Sequence, residues 1–201
     1  MKKKIYFLLT LVLICILATG CMKRESPEIT IKNFCNAILK HDKESLSKFG
    51  TNADADGFRN KMINGLAQSF QSTVGNGITN DQSRRIAEAV VDSLRKSNVS
   101  TKLISEDKDS AVVEVTVSCL DIGGAIDRTV NEVDRTMSPF AGNAEIIEAF
   151  TQTLVREVGN LQSSGSRSFT VDCIWDRDKK VWKPEDESSF NTQLGTSIMG
   201  Q

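Results

Sequence analysis

The sequence predicts an α+β domain in which N-terminal helices pack on a curved antiparallel sheet, with a helical insertion between sheet strands. Three observations carry this. Apolar residues recur at helical spacing from Ile31 to Leu94. The period then drops to two at Ala111, Val113, Val115, Val117 and Cys119, and again at Phe169, Val171, Cys173 and Trp175. Between those two alternating runs, helical spacing returns.

The first helix opens at Ser26-Pro27-Glu28, where serine serves as N-cap, proline suits the first turn and the acid meets the positive helix end. It runs to about Lys40 and buries Ile31, Phe34, Cys35 and Ile38. Asp42 caps a short second helix carrying Leu46 and Phe49, and Gly50 ends it. A third helix fits Phe58, Met62, Ile63, Leu66 and Phe70. After a loop at Gly75-Asn76-Gly77, Asp81 caps a fourth with Ile86, Val90 and Leu94 on one side.

Past Asn98, Val99 to Glu106 form one arm of a hairpin, joined through Asp107-Lys108-Asp109 to the alternating strand that ends at Cys119. The insertion occupies about residues 122–161. Ile122, Ile126, Val130, Val133 and Met137 mark one helix before Ser138-Pro139, and Ile147, Phe150, Leu154, Val158 and Leu161 mark another. The last strands are Ser168 to Trp175 and Val181-Trp182-Lys183. A symmetric turn at Asp176 to Lys179 sets Cys173 opposite Trp182, and both tryptophans then pack on the core side of the sheet. Pro184 stops the strand, and Glu185 to Met199 form a polar tail or a final helix.

The chain begins Met1-Lys2-Lys3-Lys4, continues with an apolar run from Ile5 to Leu17 and reaches Ala18-Thr19-Gly20-Cys21. A charged start, an apolar segment too short to span a bilayer comfortably and a small-residue cleavage site make an export signal. Because the site ends in Gly-Cys, it resembles the lipobox of bacterial lipoproteins. That resemblance implies residues 1–20 as signal peptide, residues 21–25 as tether and residues 26–201 as a single domain with its insertion. It makes the Cys21 sulfur the nucleophile that receives a diacylglycerol, with palmitate-like acyl chains. Two such chains are what stable anchoring requires. The expected location is the cell membrane, with the domain facing the exterior or a periplasm. The rival is an uncleaved signal anchor.

Cleavage leaves 181 of the 201 residues and removes three of the 25 Lys and Arg, so 22 cations face 26 acids and the net charge is −4. No basic cluster exceeds short pairs, which argues against nucleic acid or a polybasic membrane patch and leaves the lipid as the membrane attachment. Cys15 departs with the signal, leaving Cys35, Cys119 and Cys173 beside the lipidated cysteine. Cys35 reads as a buried thiol on a helix face. Cys119 and Cys173 both fall on apolar strand faces, and a disulfide between them is expected only if their strands are neighbours in suitable register.

Helices first and sheet after, Ser26-Pro27-Glu28, the Lys40-His41-Asp42 junction and the terminal Lys179-Lys180-Val181-Trp182-Lys183 together resemble small bacterial lipoproteins of the nuclear-transport-factor-two-like superfamily, some known only as domains of unknown function. The resemblance implies a cone whose concave face often encloses a pocket, here lined by residues such as Phe34, Val115, Phe169 and Trp175. Some members are isomerases with a tyrosine oxyanion donor, but the only tyrosine is Tyr6, within the signal.

No catalytic motif is present: there is no Gly-x-Ser-x-Gly elbow, no phosphate loop and no paired-cysteine metal spacing. The single histidine, His41, reads as a solvated turn residue. Asn52 to Gly57 imitates the first half of a calcium loop, but the closing glutamate position is Ile63, so an Asp-rich helix start is expected and no metal or cofactor is assigned. The functional expectation is a non-catalytic, lipid-anchored binding module for a small apolar molecule in the cone or a partner protein on the insertion. The alternatives are an enzyme with a buried carboxylate such as Asp121 or Asp172, and a structural envelope protein with a filled core and an exposed apolar stripe on the insertion.

Overall fold

In a computed structural model, the chain is described over residues 24–49, 55–74 and 77–200. The export signal, Cys21, Gly50, Asn52 to Asp54 and the Gly75-Asn76 loop lie outside the described residues. Helix α1 (Pro27–Lys40) begins after extended Ser26, which makes no side-chain cap, so Pro27 at the first position supplies the start signal. Asp42 accepts from the Glu44 and Ser45 amides and caps α2 (Lys43–Lys48) as expected. Helix α3 (Ala55–Val74) takes in Asp56 and Gly57. Helix α4 (Asn80–Ser93) is capped two residues before the expected position. Thr79 and Gln82 form a reciprocal capping box, leaving Asp81 in the first turn.

Strands β1 (Val99–Glu106) and β2 (Ser110–Leu120) form the expected hairpin, with a register shift between Leu103 and Ser105. Helices α5 (Ile122–Thr136) and α6 (Asn143–Gly159) make the insertion. Strand β3 (Ser163–Asp176) starts five residues earlier than alternation indicates, because its first half is polar yet still pairs with β2. Strand β4 (Val181–Pro184) returns beside it, and residues 187–198 settle the tail as helix α7 (Glu187–Ile198), capped by Asp186. The sheet is an open antiparallel meander in the order β1-β2-β3-β4.

Val113, Val115 and Val117 of β2 are fully buried, and α1 and α7 cover them on one face. Each such side chain contributes roughly 1.5–3 kcal/mol over an exposed one. The last hairpin departs from the symmetric expectation by two residues. Trp175 lies opposite Trp182, and Cys173 lies opposite Pro184. The four-residue turn, with Lys180 at φ 55, sets this register. The rings of Trp175 and Trp182 meet edge-on at 5.4 Å, with Trp182 fully buried.

The molecule has two halves. Around the sheet lie α1, α2 and α7, whereas α3, α4, α5 and α6 pack chiefly on one another. Arg59 of α3 reaches Asp92 at the end of α4 at 2.9 Å, and Lys96 Nζ donates to the Gly159 carbonyl at the end of α6. These roots sit where the chain enters β1 and β3, at the sheet end opposite the Asp107 to Asp109 turn. The α5–α6 turn with Phe140 lies at the far end of these helices from their roots.

Candidate functional site

The helix-covered face of the sheet is filled by aromatic rings. Phe190 of α7 stacks on Phe34 of α1 at 5.4 Å and lies 6.1 Å from Phe169, while Phe34 meets Phe49 at 4.8 Å. Phe34 and Val115 are buried, and Phe169 is partly so. The expected pocket lining of Phe34, Val115, Phe169 and Trp175 is therefore core packing, with Phe190 in the place a cone ligand would take. Sequence reasoning missed Phe190 because Glu185 to Ser189 looks like a polar tail. Its signal was Phe190, Leu194 and Ile198 at helical spacing behind Asp186.

The expected disulfide is not formed. Cys173 lies opposite Ala111, so Cys119 is eight residues further along β2, roughly 27 Å at the usual rise per residue. Cys35, Cys119 and Cys173 are buried free thiols. Burial pushes Cys35 and Cys173 up to about 12, which makes them unreactive as thiolates at neutral pH.

His41 differs from a solvated turn residue. Its backbone is left-handed at φ 55, and both ring nitrogens are shielded from solvent without a well-formed hydrogen bond. Burial lowers its pKa. The Val91 carbonyl pulls the other way, Arg95 and Arg59 add to the lowering, and Asp92 opposes it. The ring thus wedges the α1–α2 junction against the end of α4.

The two carboxylates named for an enzyme reading are not buried. Asp121 caps α5 through the Gly124 amide at 2.9 Å and pairs with Arg128 at 3.2 Å, contacts that hold its pKa below the ordinary value. Asp172 is exposed on the outer sheet face. Among the described residues, no group of three or more His, Cys, Asp or Glu is placed to hold a metal.

The insertion carries the remaining candidate surface. Helix α5 buries Ala125, Thr129 and Val133 against α6. A second apolar stripe, Ile126 at 38% and Val130 at 43% exposure, faces solvent, and Phe140 in the following turn is 96% exposed. Ile146 at the start of α6 is also exposed and borders an open cleft of about 540 Å³ with Gly77, Thr79, Gln82, Asn143 and Ile147. Below that cleft, Glu148 accepts from Gln82, Arg85 and Gln152, each at 2.9 Å, and these donors bring its pKa down to about 2. An apolar cleft of about 210 Å³ lies between the halves, lined by Ile38, Leu39, Met62, Leu94, Leu194 and Ile198.

Residues 20–199 match the family described as a domain of unknown function, DUF5105, and the chain belongs to that family. Its fold is similar to that in the crystal structure of a putative lipoprotein, ycdA, from Bacillus subtilis subsp. subtilis str. 168, with TM-score 0.69 and 18% sequence identity. The alignment covers 90% of this chain and 58% of that one, so this chain spans less than two thirds of that neighbour. At that identity the likeness establishes the α+β fold. No curated protein matches the chain.

Proposed function

We propose that the protein is a lipid-anchored lipoprotein, held outside the cytoplasm by Cys21, whose helical insertion docks a partner protein. The observation that carries the docking role is the pairing of a filled sheet face with an unpartnered apolar stripe. Phe190 occupies the cone, while Ile126, Val130 and Phe140 stand in solvent on the insertion. Exposed apolar residues grouped on one element mark interaction surfaces more often than isolated ones do. The apolar cleft between the halves, at about 210 Å³, falls below the ~300–1,000 Å³ of small-molecule sites, while the cleft of about 540 Å³ beside Ile146 is open.

The anchoring role draws on the Gly20-Cys21 sequence and on the neighbour described as a putative lipoprotein. Among the described residues, no helix is long and apolar enough to cross a membrane. Membership of the nuclear-transport-factor-two-like superfamily belongs to the same proposal, supported by helices preceding an open antiparallel sheet. A non-catalytic role is supported by the engagement of Asp121 as a helix cap paired with Arg128 and by the exposure of Asp172.

A photo-crosslinker at Val130, in the host that exports the protein, tests the docking role. A discrete protein adduct, lost on Ile126→Asp and missing when the crosslinker sits at Thr170 on the outer sheet face, is expected. Absence of an adduct at Val130, with an apolar molecule retained in native mass spectrometry, would replace the partner with a small ligand. Cys21→Ala is expected to release the protein from the membrane fraction; full retention would favour the uncleaved signal anchor.

A further inference from the structure

The tether does not leave the domain at an arbitrary point. Arg24, three residues after Cys21, donates through Nη1 to the Lys108 carbonyl at 2.5 Å and reaches Asp109 Oδ1 at 3.4 Å. Its guanidinium lies 4.4 Å from the centre of the Trp175 ring. A cation over an indole face is a favourable contact, and here it is backed by a carboxylate. Arg177 of the β3–β4 turn reaches the other oxygen of Asp109 at 2.5 Å. The residue after the clamp is held too, since Glu25 accepts from Thr30 Oγ1 and Asn33 Nδ2. The first described residues are thereby pinned to the end of the sheet formed by the β1–β2 and β3–β4 turns.

We propose that this end of the domain is its membrane face, seated on the lipid headgroups, with the α5–α6 turn held outward. The proposal rests on lipidation of Cys21. Three residues span at most about 11 Å, so a lipid on Cys21 holds the Arg24 backbone within about that distance of it, with the two turns next to Arg24. The charges at this end are paired: Arg24 and Arg177 both reach Asp109, and Lys183 reaches Asp176 at 3.1 Å. Glu25, Glu106 and Asp107 lie at the same end as Lys108 and the Arg177-to-Lys180 turn, so the pinned tether, and not a surplus of cations, sets the orientation. Strand β2 runs from this end for roughly 34 Å to the root of the insertion, and α5 adds about 22 Å toward Phe140.

The orientation is tested on lipidated full-length protein, its diacylglycerol checked by intact mass, in phosphatidylglycerol–phosphatidylethanolamine vesicles containing a headgroup-nitroxide lipid. A fluorophore is placed on Asp178→Cys or on Phe140→Cys; Cys35, Cys119 and Cys173 are buried and the Cys21 sulfur is blocked by the lipid. Strong quenching at 178 and none at 140 is expected, with the contrast lost in Arg24→Ala. Equal quenching at both sites, or stronger quenching at 140, in protein of lipidated mass would overturn the orientation alone. A contrast unchanged by Arg24→Ala would overturn the role of the clamp. A mass without diacylglycerol would overturn the lipidation reading, and the orientation with it.

Discussion

The sheet half and the helical half are packed differently: aromatic rings fill the first, whereas aliphatic side chains such as Ile63, Ala87, Val91, Leu154 and Val158 fill the second. Every ring–ring contact among the described residues belongs to the sheet half, from Phe34, Phe49, Phe169 and Phe190 to the Trp175–Trp182 pair. The helical half is joined at its surface by ion pairs: Arg85 to Glu148 and Arg128 to Glu157 at 2.9 Å, and Arg156 to Glu132. Pairs as solvated as these contribute little each, whereas buried aromatics contribute several kcal/mol. The difference teaches a division of labour. The sheet half concentrates its buried rings, while the helical half keeps an apolar stripe in solvent.

The largest effect expected on this contrast comes from Phe190→Ala. Removing a ring packed on Phe34 and Phe169 should cost about 3–5 kcal/mol in urea unfolding. The matching change in the helical half, Val130→Asp, should shift stability by less than about 0.5 kcal/mol because the side chain is 43% exposed. Comparable losses from both would mean that the α5 stripe is packed against something within the domain and would remove the docking surface.

A smaller effect separates adjacent glycines at the root of the insertion. A Cβ on Gly124 would lie 2.0 Å from Asp121 Oδ2, so Gly124→Ala must push the capping carboxylate aside. A lost cap costs about 1 kcal/mol. Gly123 has open space around it, so Gly123→Ala should gain up to about 0.5 kcal/mol through helix propensity. Thermal melts of both variants check the pair; equal changes would show that the Asp121 cap adds nothing to α5.

The two halves also differ in how far they could be read from the chain. Alternation from Ala111 to Cys119 announced β2 because one face meets the core and the other meets water, a pattern local in sequence. The polar first half of β3 carries no such pattern. It pairs because β2 extends beside it, a fact that lies 50 residues away. The helices of the insertion were legible, and Ile126 and Val130 fitted the same helical spacing as Val133. Spacing alone could not tell the stripe that packs on α6 from the one that faces solvent. The aromatic fill of the cone was hidden for a similar reason: Phe190 looked isolated until α7 folded back over Phe34. Arg24 read as part of a tether, and only tertiary structure places it over Trp175.

His41 sits at the join between the halves, and its lowered pKa gives that join a pH dependence. An unfolded chain protonates this histidine near 6.5 and the folded one resists, so protons favour unfolding. Stability from this group is complete above that value and declines as pH falls below it. His41→Asn, which tolerates the left-handed backbone, should reduce the drop in melting temperature between about pH 7.5 and about pH 5.5. An unchanged drop would assign the acid sensitivity to other groups.

The smallest effect concerns the ties within the helical half. Glu148 of α6 is held at about 2, first by Gln82, then by Arg85 and Gln152, against an ordinary value of 4.5. Its folded pKa is depressed, so its contribution is present above 4.5 and is lost as pH falls from there toward 2. Because Glu148 is solvated, its loss should not unfold the sheet. It should loosen the packing of α6 on α4 while β2 and β3 keep their hydrogen bonds. Hydrogen exchange corrected for intrinsic rates should therefore accelerate in α4 and α6, relative to β2, across that window. Glu148→Gln should bring the faster exchange to neutral pH and flatten its acid dependence. If α6 instead follows β2 at every pH, the halves open as one cooperative unit, and the surface ion pairs do not set the stability of the insertion.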